Sequence, residues 1–204
     1  MIDRALDFLC EQLNSYLQAK LNLQAHERAI ILSNVSQLNE TKPNTSGEDI
    51  DPQNAFLSLV NIEEDRISKS QETIVRKDSA FLYKNPRVFL NLYVLFAVNL
   101  SNYTDALERL SLIIQFFQNK NVFTPENSPA ADPKDSLNPP DRYPAIEKLV
   151  VDMYSLSFEQ SNQLWGTLGG RYLPSVLYKI RLVGIEEDTP DIDAGFIKSI
   201  TINN

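Results

Sequence analysis

The sequence holds few residues that could do chemistry, and they form no catalytic pattern. The only cysteine is Cys10 and the only histidine is His26. Catalysis of the Ser-His-Asp or Cys-His kind would have to use His26, and the spacing of these two residues does not establish that they meet. One residue of each type also excludes a zinc site built from several such ligands. Cys10 lies in an apolar-periodic stretch, which predicts a small buried hydrophobic residue.

Carboxylates are the remaining candidates for acid–base or magnesium chemistry. The run Glu63-Glu64-Asp65 is followed by Arg66 and Lys69, which predicts a neutralised surface. A second run has no basic neighbour for several residues, so it predicts either a solvated turn or a surface for a cation or a basic partner; it holds Glu186, Glu187, Asp188, Asp191 and Asp193. The sequence therefore predicts no enzyme activity, no metal site and no cofactor.

A basic stretch lies inside this acidic protein, and it holds Lys69, Arg76, Lys77, Lys84 and Arg87. Two interpretations stay open: a solvated loop neutralised by nearby acids, or a contact with a subunit or partner. In the second, the basic stretch of one copy meets the acidic run of the next, since complementary patches suit head-to-tail rings. The candidate interface residues are Arg66, Lys69, Arg76, Lys77, Lys84, Arg171, Tyr172, Glu186, Glu187 and Asp188.

Length, charge and hydropathy bound the class of protein. The 204 residues suit a single domain, 1–204, with a sizeable core. The 27 Asp and Glu residues against 19 Lys and Arg give a net charge of −8, which argues against general nucleic-acid binding. The longest apolar stretch, 88–98, is too short to span a membrane, and no Sec-type signal peptide is evident at the start. We expect a soluble protein that stays cytoplasmic until assembly, with no direct membrane insertion.

Helix and strand patterns alternate along the chain. Helical periodicity covers 2–21 and 103–117, and a capping-box pattern at Ser157 and Gln160 begins a short helix that ends at Gly169-Gly170. Trp165 in that helix is expected to anchor the core, with an interaction hot spot as the alternative. Strands are predicted over 29–34, 55–62, 88–98, 149–156, 176–185 and 196–202, and the strand 88–98 is apolar on both faces, so we expect it to be covered on both. The pattern indicates an α/β (α+β) fold.

Three long loops are predicted between these elements, at about 36–54, 63–84 and 121–146. The loop 63–84 is interpreted as a hairpin excursion or an ordered loop. The loop 121–146 holds six of the 11 prolines, which lower the entropy cost of ordering it. Loops of this length are often functional, so we expect the loop 121–146 and the excursion 63–84 to be contact elements.

Three stretches together resemble a known family. They are Val60-Asn-Ile-Glu-Glu-Asp-Arg66, then Asn85-Pro-Arg-Val-Phe-Leu-Asn-Leu-Tyr-Val-Leu-Phe96 continuing through 116–118 to 122–123, and Asn162-Gln-Leu-Trp-Gly-Thr-Leu-Gly169 continuing through 172–175 to 178–181. In this order and spacing they resemble the N-terminal-domain family of cap proteins from phage-tail-like contractile injection systems. That group includes the antifeeding prophage and the Photorhabdus virulence cassette.

The resemblance implies a tail terminator: a ring, expected to hold six copies, at the end distal to the baseplate. There it would stop growth of the inner tube and sheath and hold the last sheath layer. The implied fold is a mixed, largely antiparallel sheet flanked by helices. The implied partners are further copies of the chain, the inner tube protein and the sheath protein, with no active site. Alternatives are another ring-forming tail component (neck, baseplate or sheath adaptor) or a small-molecule-binding α/β domain.

Overall fold

The computed structural model describes residues 2–24, 27–38, 53–65, 74–77, 80–83, 88–128, 146–185 and 192–194. Its helices are α1 (Ile2–Leu21), α2 (Tyr103–Asn119) and α3 (Phe158–Thr167), with a 3₁₀ helix at Val35–Gln37. Its strands are β1 (Ile30–Leu32), β2 (Ala55–Glu64), β3 (Ile74–Lys77), β4 (Ala80–Tyr83), β5 (Val88–Val98), β6 (Val122–Phe123), β7 (Lys148–Met153), β8 (Ser175–Ile185) and β9 (Ile192–Ala194).

The strands form two sheets. The main sheet has six strands in the order β1-β2-β5-β8-β7-β6, and every neighbouring pair is antiparallel except β1 with β2. The smaller sheet is antiparallel with the order β3-β4-β9. Because Glu64 pairs with Leu90 and Val88 pairs with Ile185, the end of β2, the start of β5 and the end of β8 lie at one end of the main sheet. The chain leaves that end, here called the upper end, towards the smaller sheet.

One face of the main sheet carries the larger core. Leu9, Leu13 and Leu17 recur on the inner face of α1, at the spacing that places side chains on one side of a helix, and all are buried. Phe96 of β5 lies at the centre, with ring centroids 5.2 Å from Phe117 of α2 and 5.5 Å from Tyr178 of β8. We call this the α1/α2 face.

The side chain of Asn14 fixes β1 against α1. Its amide nitrogen donates to the carbonyl oxygen of Ile30 at 2.8 Å, and its amide oxygen accepts from the backbone N–H groups of Ala29 and Ile30 at 2.9 and 3.0 Å. Cys10 lies one turn before it, is buried, and donates through sulfur to the same Ile30 carbonyl at 3.6 Å. The prediction of a small buried residue is confirmed, and burial raises the pKa of the Cys10 thiol to about 12.

The opposite face carries a second, smaller core, and we call it the α3 face. Phe56, Leu95 and Leu177 of the sheet pack there under Trp165 of α3 and Leu173. Trp165 is only 6% exposed, which confirms that it is a core residue. The strand β5 is thus covered on both faces, as its doubly apolar sequence predicts.

The fold confirms the mixed, largely antiparallel sheet flanked by helices and most of the predicted elements. The excursion at 63–84 is a hairpin, because β3 and β4 pair within it. Two predictions were wrong in detail: Asp193, expected in an acidic turn, lies in β9, and the strand predicted to reach residue 156 ends at Met153. The segment expected to be a loop from 121 begins with β6. The predicted strand 196–202 and most of the long loops lie outside the described residues.

Candidate interaction surfaces

The start of α3 is fixed by its own sequence. The Ser157 side chain accepts from the backbone N–H of Gln160 at 3.2 Å, and the Gln160 side chain accepts from the backbone N–H of Ser157 at 2.9 Å. This reciprocal capping box satisfies two of the donors that a helix start leaves open, as the Ser-x-x-Gln pattern predicts. Phe158 is therefore the first helical residue, and its side chain is exposed rather than packed in the core.

The end of α3 is fixed by two glycines. Gly169 and Gly170 have φ of +104° and +77°, a region that other residues rarely adopt. The backbone N–H of Gly170 donates to the carbonyl oxygen of Trp165 at 2.7 Å, which closes the helix in the Schellman manner. The glycines therefore end a helix and cradle no phosphate. The turn directs Tyr172 back onto Trp165, with 5.7 Å between ring centroids.

An open groove of about 530 Å³ lies between the end of β7, α3 and the start of β8. Its apolar lining includes Leu156, Leu164 and Val176. Phe158 is 98% exposed and Met153 is 51% exposed at its rim. A group of large apolar side chains in water around a concave surface is the usual mark of a site that binds another protein or a ligand. The sequence pattern does not predict this groove, because an apolar residue such as Phe158 at the start of a helix is equally consistent with a core position.

The part of the α3 face nearer the upper end is polar and bonded within itself. The Tyr93 hydroxyl donates to a Glu63 carboxylate oxygen at 2.7 Å, and this bond raises the pKa of Tyr93 to about 12. The Arg181 guanidinium donates to Asp152 at 2.8 Å, and the Lys179 amine lies 5.9 Å from the centroid of the Tyr93 ring. These charges are matched across neighbouring strands, so this region is a neutralised surface.

The candidate interface residues fall into three groups. Arg171 and Tyr172 are exposed beside the end of α3, and the Arg171 guanidinium donates to the Asn99 side chain at 3.4 Å. Arg76 and Lys77 lie in β3. The other candidates lie outside the described residues: Arg66, Lys69, Lys84, Glu186, Glu187 and Asp188, together with His26.

The smaller sheet relates the basic stretch to the acidic run within one chain. Strand β3, which contains Arg76 and Lys77, pairs with β4, and β4 pairs on its other side with β9, which contains Asp193. The two stretches are therefore two strands apart in one copy.

The parts of the chain that the structure describes contain no cluster of three His, Cys, Asp or Glu side chains placed to hold a metal ion. Within the same residues, no helix is long and apolar enough to cross a membrane. The polar side chains that line the groove belong to Tyr154, Trp165 and four serines, which are Ser155, Ser157, Ser161 and Ser175.

The class of fold is that of a tube-terminating cap. The structure resembles the tube-terminating cap of the anti-feeding prophage, with 15% sequence identity, a TM-score of 0.56, and coverage of 100% of this chain and 61% of that chain. It also resembles the sheath/tube terminator, in its extended state, of PVC, an extracellular contractile injection system, with 16% identity, a TM-score of 0.49, and coverage of 95% of this chain and 62% of that chain. The chain thus spans about three fifths of the length of either terminator.

The particular family follows from the sequence. The model of the Pvc16 N-terminal domain matches residues 7–199, so the chain belongs to the Pvc16 N-terminal domain family. A search of curated proteins finds no significant match. The resemblance drawn from the three sequence stretches is confirmed by both the family and the fold.

Proposed function

We propose that this chain is the cap, or tail terminator, of a contractile injection system. It would form a ring at the end distal to the baseplate, stop polymerisation of the inner tube, and hold the last sheath layer. The observation that carries the proposal is the match of the Pvc16 N-terminal domain over residues 7–199, together with a cap-like fold that extends over the whole chain.

The described surfaces have the exposed contact area that a terminator needs. A growing tube exposes unsatisfied strand edges and apolar contacts at its end, and a terminator must cover them. This role needs contact area and no reactive group. The open groove with Phe158 and the exposed Arg171 and Tyr172 supply such area beside a well-packed core. We propose a structural role without catalysis or cofactor.

The proposal extends to assembly. The ring holds six copies of the single domain 1–204, its partners are the inner tube protein and the sheath protein, and it assembles in the cytoplasm before becoming part of the particle. The basic residues 66–84, the acidic run 186–188 and the pair Arg171 and Tyr172 are proposed contact positions. Arg76 and Lys77 lie in strand β3 of the smaller sheet.

Electron microscopy of tail-like particles from cells with and without the gene tests the proposal. Overlong, ragged or sheathless tubes are expected without the gene, and normal lengths after complementation. Normal lengths and ends without the gene would contradict the cap function and favour a neck or baseplate position.

A charge-reversed variant tests the basic contact in the same assay. The double change Arg76→Glu with Lys77→Glu is expected to weaken capping, because it reverses charge at the proposed contact. The matched control is Arg4→Glu with Lys20→Glu, which makes the same change of charge on exposed positions of α1. Normal capping by the β3 variant would exclude this contact.

A further inference from the structure

Both edges of the main sheet are only half covered. On one edge β1 pairs with Ala55–Leu57 of β2, and the remainder of that strand, from Leu59 to Glu63, has no strand beside it among the described residues. On the other edge β6 pairs with Leu149 and Val150 of β7. One further bond continues this pairing, because the Val151 N–H donates to the Asn121 carbonyl oxygen at 2.8 Å. Beyond that bond, no described strand lies beside the edge at Met153.

The open parts lie at opposite ends of the sheet. The pairings place Glu63, Asn91, Arg181, Val150 and Val122 in one row across the upper end, so β6 lies level with the open part of β2. A second row, at the lower end, joins Leu32, Leu57, Phe96 and Val176.

The segment that follows β7 comes level with this lower row. The Tyr154 N–H donates to the Leu177 carbonyl oxygen at 2.9 Å, so the next residue, Ser155, is level with Val176. Strand β1 therefore lies level with residues 155–157, which follow β7 at the opposite edge of the sheet.

Strands β1 and β6 each cover only part of an edge, and they do so at opposite ends of the sheet. This placement fits one arrangement of neighbouring copies. When two copies stand side by side at equal height, β6 of the first faces the open part of β2 in the second, and β1 of the second faces residues 155–157, just after β7, in the first. The upper pair is parallel and the lower pair is antiparallel, and both kinds of pairing occur in sheets. Each copy uses two different edges, so the contact is heterologous and repeats until a ring closes.

Several apolar side chains at these edges are exposed in one copy and would be buried by such a contact. Ile62 of β2 is 44% exposed, and Met153, Tyr154 and Phe158 are exposed around the open end of β7. At the upper level one edge carries exposed Glu63, whose carboxylate accepts from Tyr93 within the chain, and the other carries exposed Lys148. A neighbouring β1 would bring Ile31, which is half-buried on the α3 face of its own copy, towards the groove.

We propose that copies of this chain join through these two edges, with β6 and the neighbour's β1 together filling the gap between β7 of one copy and β2 of the next. The main sheets then form one continuous sheet around the ring. This inference rests on the proposed ring-forming function and names the surface that closes the ring.

Cysteine cross-linking tests the pairing. In a Cys10→Ala background, the pair Glu63→Cys with Val122→Cys places both thiols in the upper row, where adjacent strands bring Cα atoms within disulfide range. Within one chain these residues are four strands apart, about 19 Å, so a disulfide can form only between copies. The control pair Glu63→Cys with Ser155→Cys uses the same open edges in rows separated by more than about 15 Å.

Mild oxidation of purified particles is expected to give a ladder of disulfide-linked multimers from the upper-row pair, at least about fivefold stronger than from the control pair, and reversed by reductant. No ladder, or equal ladders, would overturn the proposal. Tubes of normal length without a row-specific ladder would reject the edge pairing and leave the cap function intact. A row-specific ladder on uncapped tubes would reject the cap function instead.

A proline variant provides a second measurement. The Tyr154 N–H donates inwards to β8, so in an extended strand the N–H of the next residue, Ser155, points outwards at the level of Leu32 in a neighbouring β1. Ser155→Pro in the cross-linking background therefore removes an edge donor while the bonds to β8 remain. Ladder intensity is expected to fall at least about threefold at an unchanged melting temperature. Unchanged cross-linking would show that no neighbouring β1 pairs with this edge. Loss of capping without row-specific cross-linking would show that a different protein binds the edge.

Discussion

The two faces of the main sheet share the same strands but are covered to different degrees. On the α1/α2 face two helices of 20 and 17 residues cover the strands, and Phe8, Phe96 and Ile113 are fully buried. On the α3 face one helix of 10 residues buries a single side chain of its own, Trp165, and leaves the groove open. The α1/α2 face therefore contributes most of the buried core, and the α3 face contributes most of the exposed apolar surface.

The difference has a physical cause in helix length and position. A helix rises about 1.5 Å per residue, so α3 spans about 15 Å and cannot cover strands of 11 residues. The uncovered area divides into a charged region, where Arg181 pairs with Asp152, and the apolar groove. Exposed apolar surface of this kind is typical of sites that bind other proteins.

Thiol labelling gives the largest expected difference between the faces. Cys10 on the α1/α2 face is expected to react with a disulfide reagent at pH 8 at least about 10³-fold more slowly than in urea, because it must await unfolding. Ser161→Cys in a Cys10→Ala background places a thiol in the groove, where labelling is expected within about tenfold of the unfolded rate. Rapid labelling of native Cys10 would show that the α1/α2 face is open.

The same cysteine predicts a pH dependence of stability. The folded-state pKa of Cys10 is raised to about 12, above its ordinary value of 9.0. Its contribution to the free energy of unfolding is complete below pH 9 and is lost as pH rises towards about 12, because only the unfolded chain releases the proton in that window. Urea titrations from pH 8 to 11 should show a fall in stability that is smaller in Cys10→Ala.

Two phenylalanines give the next largest contrast, in the free energy of unfolding. Phe96→Ala removes a fully buried ring that packs on Phe117 and Tyr178, and is expected to cost about 3–5 kcal/mol. Phe158→Ala removes a ring that is 98% exposed, and is expected to change stability by less than about 0.5 kcal/mol. Urea denaturation measures both. Equal losses would refute the division of roles between the faces.

Trp165→Ala measures how much the smaller core contributes. The indole is buried against the sheet, with Tyr172 packed on it edge to face, and its loss is expected to cost about 3 kcal/mol, less than Phe96→Ala. Tyr172→Ala, which removes the exposed partner, serves as the control and should cost under about 1 kcal/mol. A larger cost for Trp165→Ala than for Phe96→Ala would place the main stabilising core on the α3 face.

The capping box of α3 gives the smallest expected effect. Ser157→Ala removes the acceptor for the Gln160 N–H and is expected to lower stability by about 1 kcal/mol. Ser157→Asp keeps a side-chain acceptor at the same position and should restore most of the loss. A Ser157→Ala chain as stable as the wild type would mean that packing of Trp165 alone holds α3.

Local pattern alone determined most of the elements. The helical periodicity of 2–21, the Asn102 cap that accepts from the Thr104 N–H, and the Ser157–Gln160 box all depend on residues within one or two turns. The doubly apolar strand at 88–98 likewise foretold a central position in the sheet, because its composition reports what covers it. Family membership was also readable, since three spaced stretches carry it.

Only the tertiary structure decided which surfaces are open. Phe158 and Trp165 both read as apolar helix residues seven positions apart, yet one is exposed and the other buried, because the sheet lies under only part of α3. The heights of β1 and β6 depend on the register of five strand pairs, which no local sequence pattern encodes. Residues near in sequence set the elements, whereas exposure depends on what distant segments cover.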